Sequence, residues 1–288
     1  MNAESPSNAS GRFRIGIYNI AHGLGGARAH WRLARKAALL KRLDEIALVL
    51  DGERLDFVVL NEVDVNSFRT RGIDQVAHIA RRAGFPFLAA QCHIDLSLGP
   101  IRHRYGNAVL SRHPISRMQQ VAFPGHSFWE SALLGKKEGM LCTMTLPDGW
   151  KIRMMAVHLD HRLEFNRLKA AHRIEEARRT SPAPLIVAGD FNSTQPDHST
   201  TASTEKGHTA LSWLLATGAY QTLPSGPPQE DDMTFPAAHP NTAIDWILVP
   251  REWEIVSKHV VGTTLSDHRP VIMEVEAPRP QGGRVEAG

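Results

Sequence analysis

Short apolar runs that each end in a polar side chain are the feature that most restricts the folds open to this 288-residue chain. The clearest run is Leu185–Asn192, with the sequence L-I-V-A-G-D-F-N. A continuous apolar run of this length is typical of a strand buried on both faces, and its polar end then lies at the rim of a sheet. In extended chain Asp190 and Asn192 would point to the same side. We therefore expect a protein of sheets and helices with polar groups gathered at strand ends.

The polar end of this run has two interpretations. Gly189 allows a turn or the close approach of a ligand. The carboxylate of Asp190 can orient water or hold a cation, and the amide of Asn192 can donate to a phosphate oxygen. However, Asp and Asn are also common at strand ends, where they hydrogen-bond the local backbone. These four residues alone do not separate a functional site from an Asx turn.

Strand and helix signals alternate along the rest of the chain. Apolar residues spaced by three and four predict an amphipathic helix over Trp31–Leu50. Further helices are predicted at Ile73–Ala80, Leu163–Arg179 and Leu211–Ala216. Further strands are predicted at Phe13–Ile20, Asp56–Asp64, Phe87–Cys92, Tyr105–Ser111, Ile115–Phe123, Met140–Leu146, Lys151–His158, Ala243–Val249, Trp253–Val261 and Pro270–Val275. Because the strands from Phe87 to His158 follow one another without long helices, we expect them to be antiparallel.

The simplest architecture for this order packs two mixed sheets face to face with helices outside. The length fits one large domain, which we place at residues 12–277, between flexible tails at 1–11 and 278–288. The Gly-rich turn at residues 22–26 lacks the P-loop lysine and predicts a flexible loop.

Composition narrows the classes of partner and compartment. The formal charge of +3 suits an anionic substrate but is too small to indicate a nucleic-acid-binding protein. No apolar run is long enough for a membrane span, and the first eleven residues lack a signal-peptide core. Cys92 and Cys142 have neither metal-ligand spacing nor the number needed for a disulfide framework. We expect a cytoplasmic monomer without an integral membrane segment.

Polar residues recur at the ends of separate predicted strands. They are Asn19, Glu62, Asn107, His158, Asp190 with Asn192, and Asp267 with His268. Asp245 lies inside an apolar run, where a carboxylate is costly unless it is paired. Each residue alone can be explained as a cap or a turn, but their joint occurrence favours a common site.

Seven segments carry a resemblance to a known family. They are Tyr18–Ile20, Leu60–Asp64, Tyr105–Ile115, Val157–Arg162, Gly189–Asn192, Ile244–Ile247 and Ser266–Val271. In this order they resemble the endonuclease/exonuclease/phosphatase superfamily, and most of all its bacterial metal-dependent hydrolases, which also carry the motif of Thr234–Pro236. There are two departures: Asn61 stands where glutamine is usual, and Glu138 precedes Gly139 where an arginine is expected.

The resemblance implies an α/β (α+β) protein with the DNase I-like four-layer sandwich, in which two packed mixed β-sheets are flanked by helices. It also implies a divalent-metal-dependent phosphoesterase that uses water directly. Glu62, Asn19 and Asp267 would hold Mg²⁺ or Mn²⁺, since hard oxygen ligands suit these ions. If a second metal enters, Asp190 and Asn192 could become its ligands, and the sequence does not choose between one metal and two.

The resemblance also implies roles for the remaining polar residues. Asp190 would activate the attacking water, and His158 would donate to phosphate oxygens. His268, paired with Asp245, would act on the same phosphate. The substrate-binding residues implied are Asn192, Asn107 and Tyr105. Seven histidines outside the motifs are predicted to be ordinary surface or packing residues: His22, His30, His78, His126, His172, His208 and His239.

The substrate class stays open between two kinds of enzyme. The modest charge favours a small or lipid-linked phosphate ester, and the alternative is an endonuclease, exonuclease or DNA-repair nuclease. A non-catalytic phosphate-binding module on the same fold would lack the equivalents of Glu62, Asp190 or His268, and this chain has all three.

Overall fold

The computed structural model describes residues 11–26, 35–98, 101–123, 138–196 and 207–278. We number the elements of these ranges in chain order. The strands are β1 (Arg12–Asn19), β2 (Phe57–Asp64), β3 (Phe87–Leu98), β4 (Ile101–Ser111), β5 (Ile115–Ala122), β6 (Glu138–Thr145), β7 (Lys151–His158), β8 (Leu185–Asp190), β9 (Tyr220–Gln221), β10 (Asp245–Pro250), β11 (Glu254–Val260) and β12 (Val271–Glu276). The helices are α1 (Lys36–Gly52), α2 (Gln75–Arg82), α3 (Glu164–Arg179) and α4 (Ala210–Ala216).

The strands form two six-stranded sheets, in the orders β11-β12-β1-β2-β4-β3 and β5-β6-β7-β8-β10-β9. Each sheet is mixed, because β1 pairs with β2 and β7 with β8 in parallel, whereas the other neighbours are antiparallel. The antiparallel prediction for the middle of the chain is confirmed by the pairs β3–β4, β5–β6 and β6–β7.

Three apolar clusters separate four layers. One lies between the sheets, where Ile15 and Val59 of the first sheet meet Ala188 and Ile247 of the second. A second cluster packs α1 and α2 on the outer face of the first sheet, and a third packs α3 and α4 on the second. The central strand β8 is buried along its whole length because a layer covers each of its faces. The predicted four-layer sandwich of two mixed sheets and outer helices is therefore confirmed.

Several sequence predictions need correction. Helix α1 begins at Lys36, and residues 31–34 of its predicted start lie outside the described residues. The two-residue strand β9 was not predicted because it is too short to show a pattern. Of the turn at residues 22–26, which was predicted as a flexible loop, residues 22–25 are buried.

Two further sequence predictions concern the ends of the chain and membrane-spanning segments. The predicted flexible tails fall almost wholly on residues 1–10 and 279–288, which lie outside the described residues. Among the described helices, none combines the length and apolar character needed to cross a membrane.

Candidate active site

The polar strand ends predicted from the sequence meet at one edge where the two sheets face each other. In the second sheet, His158 pairs with Asp190 and Asp190 pairs with Asp245, so the three residues form a row across β7, β8 and β10. In the first sheet, Asn19 at the end of β1 pairs with Asn61 of β2. The parallel pair in each sheet places the carboxyl ends of two strands together, which is where polar loops can converge on a ligand.

Asp190 lies at the centre of this edge, and its side chain is 3% exposed. Its Oδ2 accepts a hydrogen bond from Asn19 Nδ2 at 3.1 Å. The Nε2 atoms of His158 and His268 lie 3.6 and 3.8 Å from the same oxygen. Burial raises the pKa of Asp190 to about 7, with the Asp245 carboxylate adding to the rise and His268 opposing it. Asp190 therefore has the character of a carboxylate that can accept a proton near neutral pH.

Asp245 and His268 form a direct pair. His268 Nδ1 lies 2.8 Å from Asp245 Oδ2, and both residues are buried. Burial of His268 opposes its charged form, but Asp245 and Asp190 outweigh this and raise the pKa of His268 to about 10. The pair explains how a carboxylate is tolerated in an apolar strand, and it leaves Nε2 of His268 facing Asp190.

Glu62 is held at a β-bulge, where the pairing of β2 with β4 shifts register between Leu60 and Val63. Its backbone has φ of 52°, a left-handed conformation that is unfavourable for a residue with a side chain. Asn19 Nδ2 is 3.4 Å from Glu62 Oε1, and His22 Nε2 is 3.1 Å from Oε2. Burial would raise the pKa of Glu62, but the adjacent His22 holds it well below its usual range. Glu62 is therefore ionised, and its side chain remains 22% exposed.

Asn19 joins the two carboxylates, because its Nδ2 approaches both Glu62 and Asp190. Its Oδ1 accepts the backbone N–H of Ala21 at 3.1 Å. The loop of Asp267 is fastened to this point, since Ser266 Oγ donates to the Asn19 carbonyl oxygen at 2.8 Å. Asp267 itself is half-buried beside His268.

Asn61, the residue that stands where glutamine is usual, ties the sheets together. Its Nδ2 donates to Asn107 Oδ1 at 2.8 Å and to the Val157 carbonyl oxygen at 2.9 Å. Its Oδ1 accepts the backbone N–H of Asp190 at 2.9 Å. Within the described part of the chain, Nδ2 of Asn107 is buried without a hydrogen-bond partner. A buried donor in this position is suited to an oxygen atom of a ligand.

The two other substrate-binding candidates, Asn192 and Tyr105, contact protein groups at this edge. Asn192 is not in extended chain beside Asp190: its φ is 46°, and its backbone N–H donates to Asp190 Oδ1 at 2.9 Å. Its Nδ2 donates to the Leu159 carbonyl oxygen at 3.2 Å. The Asx-turn interpretation therefore applies to this end of β8. Tyr105 is half-buried with its ring against His22, at 4.9 Å between centroids.

Sequence reasoning missed His22, which was predicted to be an ordinary surface or packing residue. It is buried between Asp64 and Glu62. It also missed His93, whose ring centroid is 6.3 Å from that of His158. The only local signal for His22 was its place three residues after Asn19, and His93 lies mid-strand without any signal. Among the other histidines of that prediction, His172, His208 and His239 are exposed, whereas His30 and His126 lie outside the described residues.

Two groups of donors at this edge could hold a cation. One atom each from Asp190, Asp245 and His268 lie within 4.8 Å of one another. However, Asp245 and His268 already bind each other in a buried pair. The second group is centred on Glu62, which is ionised and partly open to solvent and therefore suits Mg²⁺ or Mn²⁺.

Comparison with known proteins bears on the family and the fold of the chain. The model of the Endonuclease/Exonuclease/phosphatase family matches residues 16–268. No curated protein matches the sequence.

Three solved structures illustrate the similarity of fold. An endonuclease/exonuclease/phosphatase from Beutenbergia cavernae is 20% identical, with a TM-score of 0.64 and coverage of 92% of this chain and 71% of that chain. A mannosyl-6-phosphatase from Bacteroides thetaiotaomicron is 15% identical, with a TM-score of 0.63 and coverage of 91% and 99%. Humanized D. rerio TDP2 is 15% identical, with a TM-score of 0.63 and coverage of 93% and 100%.

These similarities confirm the DNase I-like fold expected from the sequence. Because the family match spans most of the chain, the protein belongs to the Endonuclease/Exonuclease/phosphatase family of enzymes, which hydrolyse phosphate esters.

Proposed function

We propose that the protein hydrolyses a phosphodiester or a phosphomonoester by direct attack of water, with a divalent cation at Glu62. The setting of Asp190 carries this proposal. Nitrogen atoms of Asn19, His158 and His268 surround its Oδ2 at 3.1, 3.6 and 3.8 Å. A proton-accepting carboxylate among donors for an anionic group is the arrangement that attack of water on a phosphate requires.

The metal ligands in this proposal are Glu62, Asn19 and Asp267. The amide oxygen of Asn19 accepts one N–H and keeps a second lone pair for a cation. Mg²⁺ or Mn²⁺ in this position would offset negative charge on a phosphate oxygen.

We assign the nitrogen donors to the phosphate oxygens that face away from the metal ligands. His158 and His268 would donate from Nε2 to oxygens on which charge grows in the transition state. Asp245 fixes Nδ1 of His268 and so directs Nε2 to the site. Asn107 would offer its buried Nδ2 to the substrate, and Tyr105 and Asn192 are the other substrate-binding residues that we propose.

We propose a small or lipid-linked substrate. The net charge of +3 is low for a protein that follows a polyanion, and one structure with the same fold is a mannosyl-6-phosphatase. Both cysteines are free thiols, in keeping with a reducing compartment such as the cytoplasm.

The test is hydrolysis of p-nitrophenyl phosphate and bis-p-nitrophenyl phosphate by the purified chain in Mg²⁺ or Mn²⁺. A panel of DNA, RNA, phosphoinositides, sphingomyelin and nucleotide esters then separates substrate classes. We expect turnover that Asp190→Asn removes, with a small or lipid-linked ester preferred and little dependence on salt. Efficient cleavage of DNA that falls steeply with salt would identify a nuclease instead. Phosphate binding without turnover of any ester would identify a binding module.

A further inference from the structure

We infer that His22, held in place by Asp64, is a positioning residue that fixes the carboxylate of Glu62 for metal binding. The inference rests on the proposed function, since it concerns the residue placed there as the main metal ligand. His22 is not among the residues that the family resemblance implied.

The imidazole of His22 lies between two carboxylates and is 7% exposed. Its Nδ1 is 2.8 Å from Asp64 Oδ1, and its Nε2 is 3.1 Å from Glu62 Oε2. The other oxygen of Glu62, Oε1, lies 3.4 Å from Asn19 Nδ2 at the centre of the site. His22 therefore engages one oxygen of Glu62 and leaves the other facing the site.

Other side chains in turn hold the carboxylate of Asp64 in place. It is fully buried, its Oδ2 accepts a hydrogen bond from Thr70 Oγ1 at 2.9 Å, and Arg69 Nη2 lies 3.5 Å from Oδ1. Gln75 joins the backbones of the pair, because its Oε1 accepts the N–H of Asp64 at 2.9 Å and its Nε2 donates to the His22 carbonyl oxygen at 2.7 Å. His22 is thus held in place through contacts of both its side chain and its main chain.

The backbone that presents His22 is in an unfavourable conformation. Ala21 and His22 have φ of 44° and 59°, in the left-handed region that residues with side chains rarely adopt. Gly23 follows at φ of 66°, and a Cβ atom there would lie 2.9 Å from a side-chain carbon of Leu39. Conformations of this kind persist where the surroundings over-determine them, often at functional sites. Here the unfavourable turn directs a histidine into the candidate active site.

The same chemical pattern occurs on the other side of Asn19. There Asp245 holds His268 at 2.8 Å, and the second nitrogen of His268 faces Asp190 at 3.8 Å. The candidate base and the candidate metal ligand thus each have a histidine that a buried aspartate orients. Hydrogen bonds that orient a ligating group commonly change metal affinity by about 10- to 100-fold.

Substitutions that mimic one ring nitrogen at a time test this role. The amide nitrogen of asparagine can replace Nδ1 and keep the bond to Asp64, whereas that of glutamine reaches the position of Nε2 and keeps the bond to Glu62. We expect His22→Asn to weaken Mn²⁺ binding by about 10- to 100-fold, measured by titration of the full chain with an electron paramagnetic resonance readout. His22→Gln should restore most of the affinity.

His78 offers a matched control. It makes the same kind of pair, with Nε2 2.9 Å from Asp44 Oδ1, and among the described residues no hydrogen bond joins its side chain to the site. His78→Asn should bind Mn²⁺ like the wild-type protein. Thermal unfolding in chelator should show that each titrated variant is folded.

The outcomes separate this inference from the proposed function. If Glu62→Gln weakens Mn²⁺ binding but folded His22→Asn binds as tightly as the wild type, the positioning role is wrong and the proposed function stands. Equal loss in His22→Asn and His22→Gln would also overturn the role, because the contact with Glu62 would then not matter. If the wild type itself does not bind Mn²⁺, the proposed metal site fails and the inference fails with it.

Discussion

Asp190 is a carboxylate that the fold keeps almost entirely out of water. Because burial raises its pKa to about 7, the folded chain binds this proton more tightly than the unfolded chain, whose value is near 3.8. The ionised group therefore opposes folding at pH values above that of the unfolded carboxyl. A residue that weakens the fold in its working state is more readily explained by catalysis than by stability.

Asp190→Asn should lower kcat by about 10²- to 10⁴-fold, because the amide cannot accept the proton of water. The variant should be at least as stable as the wild type at pH 8, since the opposing charge is gone. Steady-state kinetics and urea unfolding measure the two effects. Asp231→Asn, at an exposed position, is the control and should change neither. A near-native rate for Asp190→Asn would reduce this end of β8 to a structural turn.

Asp245 and His268 should act as a unit, because the structure places Nδ1 and Oδ2 2.8 Å apart. We expect the losses in kcat/KM from Asp245→Asn and His268→Gln to fall well short of additive in the double variant, since the first change removes the carboxylate that fixes the imidazole and the second removes the imidazole itself. A double-mutant cycle measures this coupling. Additive losses would mean that Asp245 is only a satisfied core carboxylate.

At the scale of elements, the site depends on how β2 of one sheet is joined to β7 and β8 of the other. Asn61 makes this connection through hydrogen bonds to Asn107, to the Val157 carbonyl oxygen and from the Asp190 N–H. Asn61→Leu has a similar shape and loses all three bonds. We expect it to destabilise the fold by about 1–3 kcal/mol, because buried polar partners are left unsatisfied.

Chemical denaturation with urea measures this change. Asn241→Leu, at an exposed position, is the control and should stay within about 0.5 kcal/mol of the wild type. If both asparagine variants were equally stable, Asn61 would not couple the sheets.

Gly189, the residue before Asp190, lies where strands β7 and β8 are in close contact. The sequence allowed a turn or a close ligand, and the structure shows the close approach of a neighbouring strand: a Cβ would lie 1.9 Å from the Val157 carbonyl oxygen. Its φ of 150° adds a second obstacle to any side chain. Gly189→Ala should therefore destabilise the fold by more than about 2 kcal/mol, measured as a loss of unfolding free energy.

Gly262 gives the matched control, because a Cβ there meets no atom within 4 Å. Gly262→Ala should leave stability nearly unchanged. Equal stability of the two alanine variants would show that β7 and β8 can separate at little cost.

Features that depend on the local sequence could be predicted, whereas features that depend on contacts between distant residues could not. Strands such as β8 and the carboxylates at their ends were predictable, because a buried strand needs a local apolar run whatever its neighbours are. The inward turn of His22 was not, since it depends on Asp64 and Gln75, which are distant in sequence. Likewise, Asn192 could be named from its motif, but its left-handed backbone could not.

At the scale of the whole molecule, the site is assembled from residues of both sheets. The first sheet and its loops bring Glu62, Asn19 and Asp267, which we assign to the metal. The second sheet brings Asp190, His158 and Asp245, which we assign to water and phosphate together with His268, from the loop before β12, and Asn107 of β4. Packing the sheets face to face therefore brings these two sets of residues together, and neither sheet alone has both.

Hydrolysis of bis-p-nitrophenyl phosphate in the presence and absence of a divalent cation tests this division most directly. EDTA should abolish turnover by the wild type, and added Mg²⁺ or Mn²⁺ should restore it. Glu62→Gln should need much more metal for the same rate, whereas Asp190→Asn should stay slow at any metal concentration. Full activity of the wild type in EDTA would contradict the account.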